Sequence, residues 1–581
     1  MGRSWELQAI IIAKKNCLLG GDTPYCFAGR RTLRRDTQQV WNIISKLNSN
    51  ILITMTELNS IELRTASLEM KNKLSNVDQQ LAETPLIQAK PQQDIKVQDI
   101  LDKIPFGRFH YRFLLIIFLH YFSGTYISYN LGYLLMYPKY QCQVHDTQNY
   151  QECSREYICN NPNGLIWKIE EENHLSLNNW IQRLDLMCSD SIQIGLFGTI
   201  DFLSQLFTSL FITPQSDKYG KRWFTIAGAT VQIPAFLIIL IFKSTILFYF
   251  SIIIIGITFV NKNFVMYSHF MDYMGDKGSF ITGWMFCLES FNFIITPFIL
   301  YYISKDTQIL AYIGLIMTCI VVISFKFIYF PESLKFTIIQ GRYEQAKTDV
   351  KKIMFENGHR QTEYKIITDL IDQYADQQIK VNQSNRIEGQ QEKEKPSILK
   401  LLQTTKYTIR NVILMIILWI ATSSSFFMFN FYIKYVQANV FLIGIAMGFS
   451  CFGYLFSDLI LQRVGFLRLI NISYTTTSAI LIIIVFVDPT SINIYIYALI
   501  FLIFKSFVCM NYSAIFLAHI YLFDSRILAT SFGICSFFSR ICLLFVPMIV
   551  EIPNTQIPLI YLMVINFIAF GCSFLLKRID Q

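Results

Sequence analysis

Six ionisable residues stand inside otherwise apolar stretches of this chain: His120, Asp201, Lys262, Glu289, Lys505 and Arg540. A charge at the centre of a membrane span costs about 2.5–3.5 kcal/mol, so each needs a partner or a task. A guanidinium grips a carboxylate through two parallel N–H donors, which points Arg540 toward an anionic or zwitterionic ligand. The competing reading is a fixed ion pair of Arg540 with Asp201. Glu289 is a candidate protonatable group, and its alternative is pairing with Lys262 or a polar neighbour. His120 reads as a hydrogen-bonded packing residue before it reads as a relay. Tyr129, Trp284, Phe291, Trp419 and Phe427 could form an apolar wall around an organic ligand.

These residues need spans to carry them. The chain has 581 residues, 53% of them hydrophobic and only 16% charged, with a mean hydropathy of +0.38. That is the balance of a polytopic membrane protein. Apolar segments long enough to cross a bilayer are predicted near 113–136, 191–213, 223–242, 245–268, 279–301 and 308–330. Six more follow near 409–431, 437–459, 467–487, 493–519, 527–550 and 556–576. The expected fold is therefore an all-α membrane protein with twelve transmembrane helices in two halves of six. Asp201, Glu289, Lys505, Arg540 and His120 fall near mid-depth, and Lys262 lies closer to one end of its span.

The turn Ile212–Trp223 carries Asp217 with Lys218, Lys221 and Arg222 between two spans. Basic loops mark the cytoplasmic side, so this turn predicts cytoplasmic termini, a cytoplasmic central loop and an external loop after the first span. The expected organisation is a largely disordered cytoplasmic extension over 1–103, with a short amphipathic helix near Ser60–Ala82. A first half follows over 104–330, then a central loop over 331–406 and a second half over 407–581. No signal peptide is legible near the start. In the central loop, Gly341–Lys347 opens an amphipathic helix that stops at Gly358, and flexible Gln-rich sequence is expected after it. The external loop over 137–190 holds Cys142, Cys153, Cys159 and Cys188. An even count outside favours two disulfides, with the pairing left open. A zinc site is the rival reading, weakened by the lack of a CxxC spacing.

Several stretches together resemble the organic cation, organic anion and carnitine carriers of the major facilitator superfamily. Ser216-Asp217-Lys218-Tyr219-Gly220-Lys221-Arg222 resembles the superfamily's loop between its second and third helices. FGRF at 106–109, Asp185-Leu186-Met187-Cys188, Asp272-Tyr273-Met274-Gly275, Pro331-Glu332-Ser333-Leu334-Lys335-Phe336 and Ser539-Arg540 are similar to landmarks of the organic ion carriers, in the same order. The resemblance covers about residues 100–576. It implies a central cavity between the halves, with Arg540, Lys505, Glu289, Asp201, Trp284 and Trp419 as the substrate-binding set. Asp217, Lys218, Gly220, Lys221, Arg222, Asp272, Glu332 and Arg526 become the gating set, closing the cytoplasmic side. Lys505 looks like the family's lysine in the tenth span.

There are departures as well. Thr213 and Pro214 alter the start of the loop motif, and the second copy, Gln462–Leu467, lacks its acid. Ser450 stands where cation carriers have a glutamate, and His519 stands where the family has an acid. Together these point to a transporter of small organic ions, with an anion or zwitterion such as carnitine favoured. The expected partners are that ion, the lipid bilayer and a coupled proton or counter-ion, in the plasma membrane. No cofactor, resident metal or nucleic acid is called for. The alternatives are an organic cation carrier, a sugar- or phosphate-type porter, or a non-transporting membrane subunit. An enzyme is disfavoured, because no phosphate-binding Gly loop or catalytic triad stands at telling spacing.

Overall fold

The computed structural model describes residues 95–143, 150–161, 165–274, 278–387, 408–436, 439–487, 491–523 and 525–577. The expected extension and its helix near Ser60–Ala82 lie outside this set, apart from residues 95–103. Eleven helices among the described residues are long and apolar enough to cross a membrane. Arg108–Ser128 supplies the twelfth. It has 21 residues, about 31 Å at about 1.5 Å each. Arg112 and His120 dilute its hydropathy.

The helices pair in a repeated pattern. In the first half, the second span packs on the fourth, the third on the fourth and sixth, and the first on the fourth and sixth. In the second half the eighth packs on the tenth, the ninth on the tenth and twelfth, and the seventh on the tenth and twelfth. Adding six to each number converts one set into the other, which is the signature of two pseudo-symmetric bundles. Between the halves, the second span meets the eleventh and the fifth meets the eighth.

At one end of the bundle the chain after the first span folds into a small antiparallel sheet. Its strands are β1 (Tyr140–Gln143), β2 (Tyr150–Cys153) and β3 (Trp167–Ile169), in the order β2–β1–β3. Cys142 joins Cys153 across the β1–β2 pair, and Cys159 joins Cys188. Two disulfides were expected; proximity in the folded loop decides how they connect. At this disulfide end the halves touch backbone to side chain. A Cβ at Gly198 would come within 2.6 Å of Pro547, and one at Gly448 within 2.3 Å of Ile294.

The opposite, basic end differs from the sequence expectation. Residues 212–219 are not part of a loop, because the second span runs on as a helix over Ser191–Tyr219. The turn is the single residue Gly220, at φ +107°, before the third span Lys221–Ile241. A side chain is strongly disfavoured at that backbone angle. The central segment differs too. Gln361–Ile387 is a 27-residue helix rather than flexible sequence. Ile367 and Ile371, four residues apart, share one face and are buried in the cluster that holds Ile338, Ala346, Val350 and Ile353. That apolar stripe is interleaved with Glu, Asp and Gln and is masked by their polar average.

Candidate functional site

A cavity of about 670 Å³ lies between the halves. Its wall takes Tyr129 from the first span, Gln205 from the second, Phe259 and Phe264 from the fourth, and Phe286 and Glu289 from the fifth. The second half contributes Trp419, Ser423 and Phe427 from the seventh span, Tyr454, Tyr512 and Phe516, and then Phe532, Ser539 and Arg540 from the eleventh. Met271, Gly283, Leu517 and Phe532 extend this wall toward the basic ends of their helices, whereas the disulfide end is closed by the glycine contacts described above. The cavity thus faces the basic end.

Arg540 reaches the wall and donates from Nη1 to Gln205 Oε1 at 2.9 Å. Its guanidinium lies 5.3 Å from the centre of the Phe264 ring, a cation–π distance. Its Nε has no hydrogen-bond partner, and no carboxylate forms an ion pair with it among the described residues. The fixed Asp201–Arg540 pair is therefore not what the structure contains. Gln205, one helical turn from Asp201, takes the guanidinium instead. Asp201 is buried behind the wall beside Ser128 and Gln205, with Oδ1 unpartnered among the described residues.

Glu289 lines the cavity and accepts from the Tyr129 hydroxyl at 3.1 Å. Lys262 forms no ion pair with it; its Nζ donates to the Tyr121 carbonyl at 2.9 Å and faces the Phe259 ring at 5.1 Å. A π-helical segment, Asn261–Met266, interrupts the fourth span here, and such bulges are frequent at functional sites. Lys262 is fully buried within it.

Other expectations fare differently. Lys505 does not reach the cavity. Its Nζ donates to the Phe426 carbonyl at 2.5 Å and sits 3.7 Å from the Phe426 ring centre, behind the wall. Trp284 is 39% exposed on the outside of the bundle, although its neighbour Gly283 lines the cavity. Phe291 packs against the core instead of the cavity. His120 is fully buried with both ring nitrogens unpartnered among the described residues, so it is not a hydrogen-bonded packing residue. Trp419 is on the wall and held there: its indole donates to His519 Nε2 at 3.0 Å. An indole only donates, so His519 Nε2 must accept, and its Nδ1 then carries the proton toward Ser531 Oγ at 3.1 Å.

The gating set splits. Glu332 Oε1 accepts from the amides of Lys221 at 2.8 Å and Arg222 at 3.2 Å, capping the third span at its positive end. Asp272 Oδ2 receives Lys221 Nζ at 3.0 Å and the Ser333 hydroxyl at 2.5 Å. Tyr273 donates its hydroxyl to the Glu332 carbonyl at 2.5 Å. Lys221, Arg222, Asp272 and Tyr273 belong to the first half, and Glu332 and Ser333 to the central segment directly after its last span, so the network braces one bundle and does not bridge two. Asp217 and Lys218 are exposed and stand outside it; Asp217 has no ion pair among the described residues. The side chain of Arg526 is outside the described set.

Sequence reading missed Gln205, and it missed the polar seam of Ser423, Ser539 and Tyr512, in which Ser539 Oγ donates to Ser423 Oγ at 2.7 Å and the Tyr512 hydroxyl donates to it at 3.0 Å. The spacing of Gln205 four residues after Asp201 was its only advance signal. Also missed was the buried pair Lys434–Glu551 at 2.6 Å, where Lys434 also reaches the Leu135 carbonyl at 3.3 Å. Both residues sit at predicted span ends and read there as ordinary interfacial charges.

The fold is similar to solved transporter structures. The inward open conformation of the xylose transporter XylE from E. coli aligns with a TM-score of 0.55 at 11% identity, covering 81% of this chain and 96% of that one. The partially occluded inward open conformation of the same protein aligns at 0.50 and 12% identity, covering 80% of this chain and 98% of that one. At such identities the likeness concerns the fold alone. No curated protein matches the sequence. The family described as Major Facilitator Superfamily matches residues 113–575, all twelve helices except the first turn of the first. With most of its length matched, the chain belongs to the Major Facilitator Superfamily.

Proposed function

We propose that the chain carries a small organic ion, an anion or a zwitterion, by alternating access of a site between its halves. The observation that carries this is Arg540: a half-buried guanidinium on an aromatic wall, held by a neutral amide and not by an acid. A bound carboxylate would supply the missing counter-charge, and in a partly desolvated site that match is worth more than in water. Glu289 offers the complementary charge for the cationic end of a zwitterion, and Trp419, Phe427 and Tyr512 offer ring faces to its apolar body. Lys262 and Glu289 are the candidates for a coupled proton or counter-ion. Lys505 acts behind the wall, through Phe426.

The basic turn at one end and two disulfides at the other support cytoplasmic termini and an external Cys loop. The resemblance to organic ion carriers supports the plasma membrane, and the Lys221–Glu332–Asp272 network is assigned to bracing the cytoplasmic face. The test is uptake by proteoliposomes of carnitine, a dicarboxylate, a urate-like anion, an organic cation and xylose. Carnitine or anion uptake is expected to be lost in Arg540→Ala and retained in Asp201→Ala. Uptake of the cation or of xylose alone overturns the assignment. So does rescue of Arg540→Ala by Asp201→Ala, which would make Arg540 a structural partner.

A further inference from the structure

Two free thiols meet across the boundary between the halves. Cys287 lies on Gly278–Ser290 of the fifth span, and Cys451 lies between Val440–Phe449 and Phe452–Val464 of the eighth. Their sulfur atoms are 3.0 Å apart and both residues are fully buried. That is about 1 Å beyond a covalent S–S bond of about 2.05 Å. The pair sits one layer behind the cavity: Glu289, two residues from Cys287, and Tyr454, three from Cys451, both line it. Around the pair the two spans are already in tight contact, with Gly448 against Ile294 and Gly444 against Pro297. Joining them needs an approach of about 1 Å and the loss of the two thiol hydrogens to an oxidant.

We propose that Cys287 and Cys451 form a redox-active dithiol whose oxidation by an organic hydroperoxide staples the fifth span to the eighth and holds the cavity open to the basic end. The first sulfur attacks the peroxide oxygen: an S–O bond forms, the O–O bond breaks, and the alcohol leaves with the thiol proton. The second sulfur attacks that sulfenic acid: the S–S bond forms, the S–O bond breaks, and water leaves with the second proton. Two thiols are oxidised and one hydroperoxide is reduced. The lock rests on the alternating-access reading, because opening the disulfide end requires the fifth and eighth spans to part.

The experiment treats the purified full-length protein in nanodiscs with tert-butyl hydroperoxide, blocks the remaining thiols under denaturing conditions, and maps linked peptides by mass spectrometry. The expected result is a Cys287–Cys451 peptide, reversed by dithiothreitol and absent in Cys287→Ser and in Cys451→Ala. Cys319→Ser, on the sixth span, should behave as wild type. Hydrogen exchange of peptides covering 131–136, 440–449 and 545–551 should slow on oxidation in wild type and not in Cys287→Ser. Intact thiols after treatment overturn the dithiol. A linked peptide with unchanged exchange overturns the lock. Neither readout depends on which compound is carried, so failure of the uptake panel above is a separate outcome.

Discussion

The two halves tie themselves together at opposite ends. The first half does so at the basic end, where Glu332 caps the third span and Asp272 anchors Lys221 and Ser333. The second half does so at the disulfide end, where Glu551 takes Lys434 at 2.6 Å and the Tyr435 hydroxyl at 2.6 Å. Even the shared turn is treated differently. Gly220 and Gly465 both sit at positive φ, but a carboxylate packs against the first, while a Cβ at the second would meet nothing within 4 Å. The first brace stays within its own bundle, so a rocking motion leaves it intact. Lys434 reaches past its bundle to the Leu135 carbonyl of the first half, so that contact must break whenever the disulfide end opens.

This contrast can be broken by cutting each brace. Glu551→Ala leaves Lys434 buried without its counter-ion, the situation that typically costs about 3–5 kcal/mol. Glu332→Ala removes charge-assisted bonds to backbone amides and should cost less, about 2–3 kcal/mol. Thermal unfolding in detergent should therefore show the larger loss for Glu551→Ala. The reverse order would show that the first-half brace is the stronger one.

The glycines sharpen the comparison. Both Gly220→Ala and Gly465→Ala force an L residue into a strained region, costing about 1–3 kcal/mol. Only at Gly220 would the new Cβ approach Glu332 Oε2, to within 2.5 Å. Gly220→Ala should thus lower the unfolding temperature more, and the excess should vanish in a Glu332→Ala background. Equal losses would deny Glu332 its role at the turn.

The smallest effect concerns the docking of the central helices onto the first half. Asp349 is buried and accepts from the Tyr329 hydroxyl at 2.5 Å. Burial raises its carboxyl above the ordinary 3.8, aided by nearby Glu332 and opposed by the Tyr329 bond, Lys352 and Arg222. An acid raised on folding contributes stability that is full below pH 3.8 and is lost as pH rises through its folded value. Asp349→Asn should then be slightly more stable than wild type at pH 7, with the gap closing on acidification toward pH 4. A gap independent of pH would assign the effect to packing.

Much of the fold was legible because a bilayer imposes one demand on every span, length and apolarity, that a linear reading can count. Most predicted spans fall within a few residues of the helices observed; the first helix ends at Ser128 instead of near 136, and the second runs on to Tyr219. What a one-dimensional count handles badly is a helix that leaves the apolar zone: residues 212–219 stay helical past the polar Thr213-Pro214 step. At the site, Arg540 and Glu289 were found because a charge in an apolar span is conspicuous. Gln205 was not, because an amide carries no charge to flag it. Lys505 was misplaced because depth along a helix says nothing about which face a residue occupies.

The twelve spans, the six-and-six division, the cysteine-bearing loop and the charged residues that need partners could all be read along the chain. Each is set by local composition acting against lipid or by covalent order along the chain. The partners of these charges emerge only in the folded chain: Gln205 for Arg540, Tyr129 for Glu289, Phe426 for Lys505 and Glu551 for Lys434. So do the connections of the disulfides and the meeting of Cys287 with Cys451. These pairings join residues far apart in the chain, and they depend on helix rotation and crossing. Those are fixed by packing among many side chains at once and by no stretch of sequence alone.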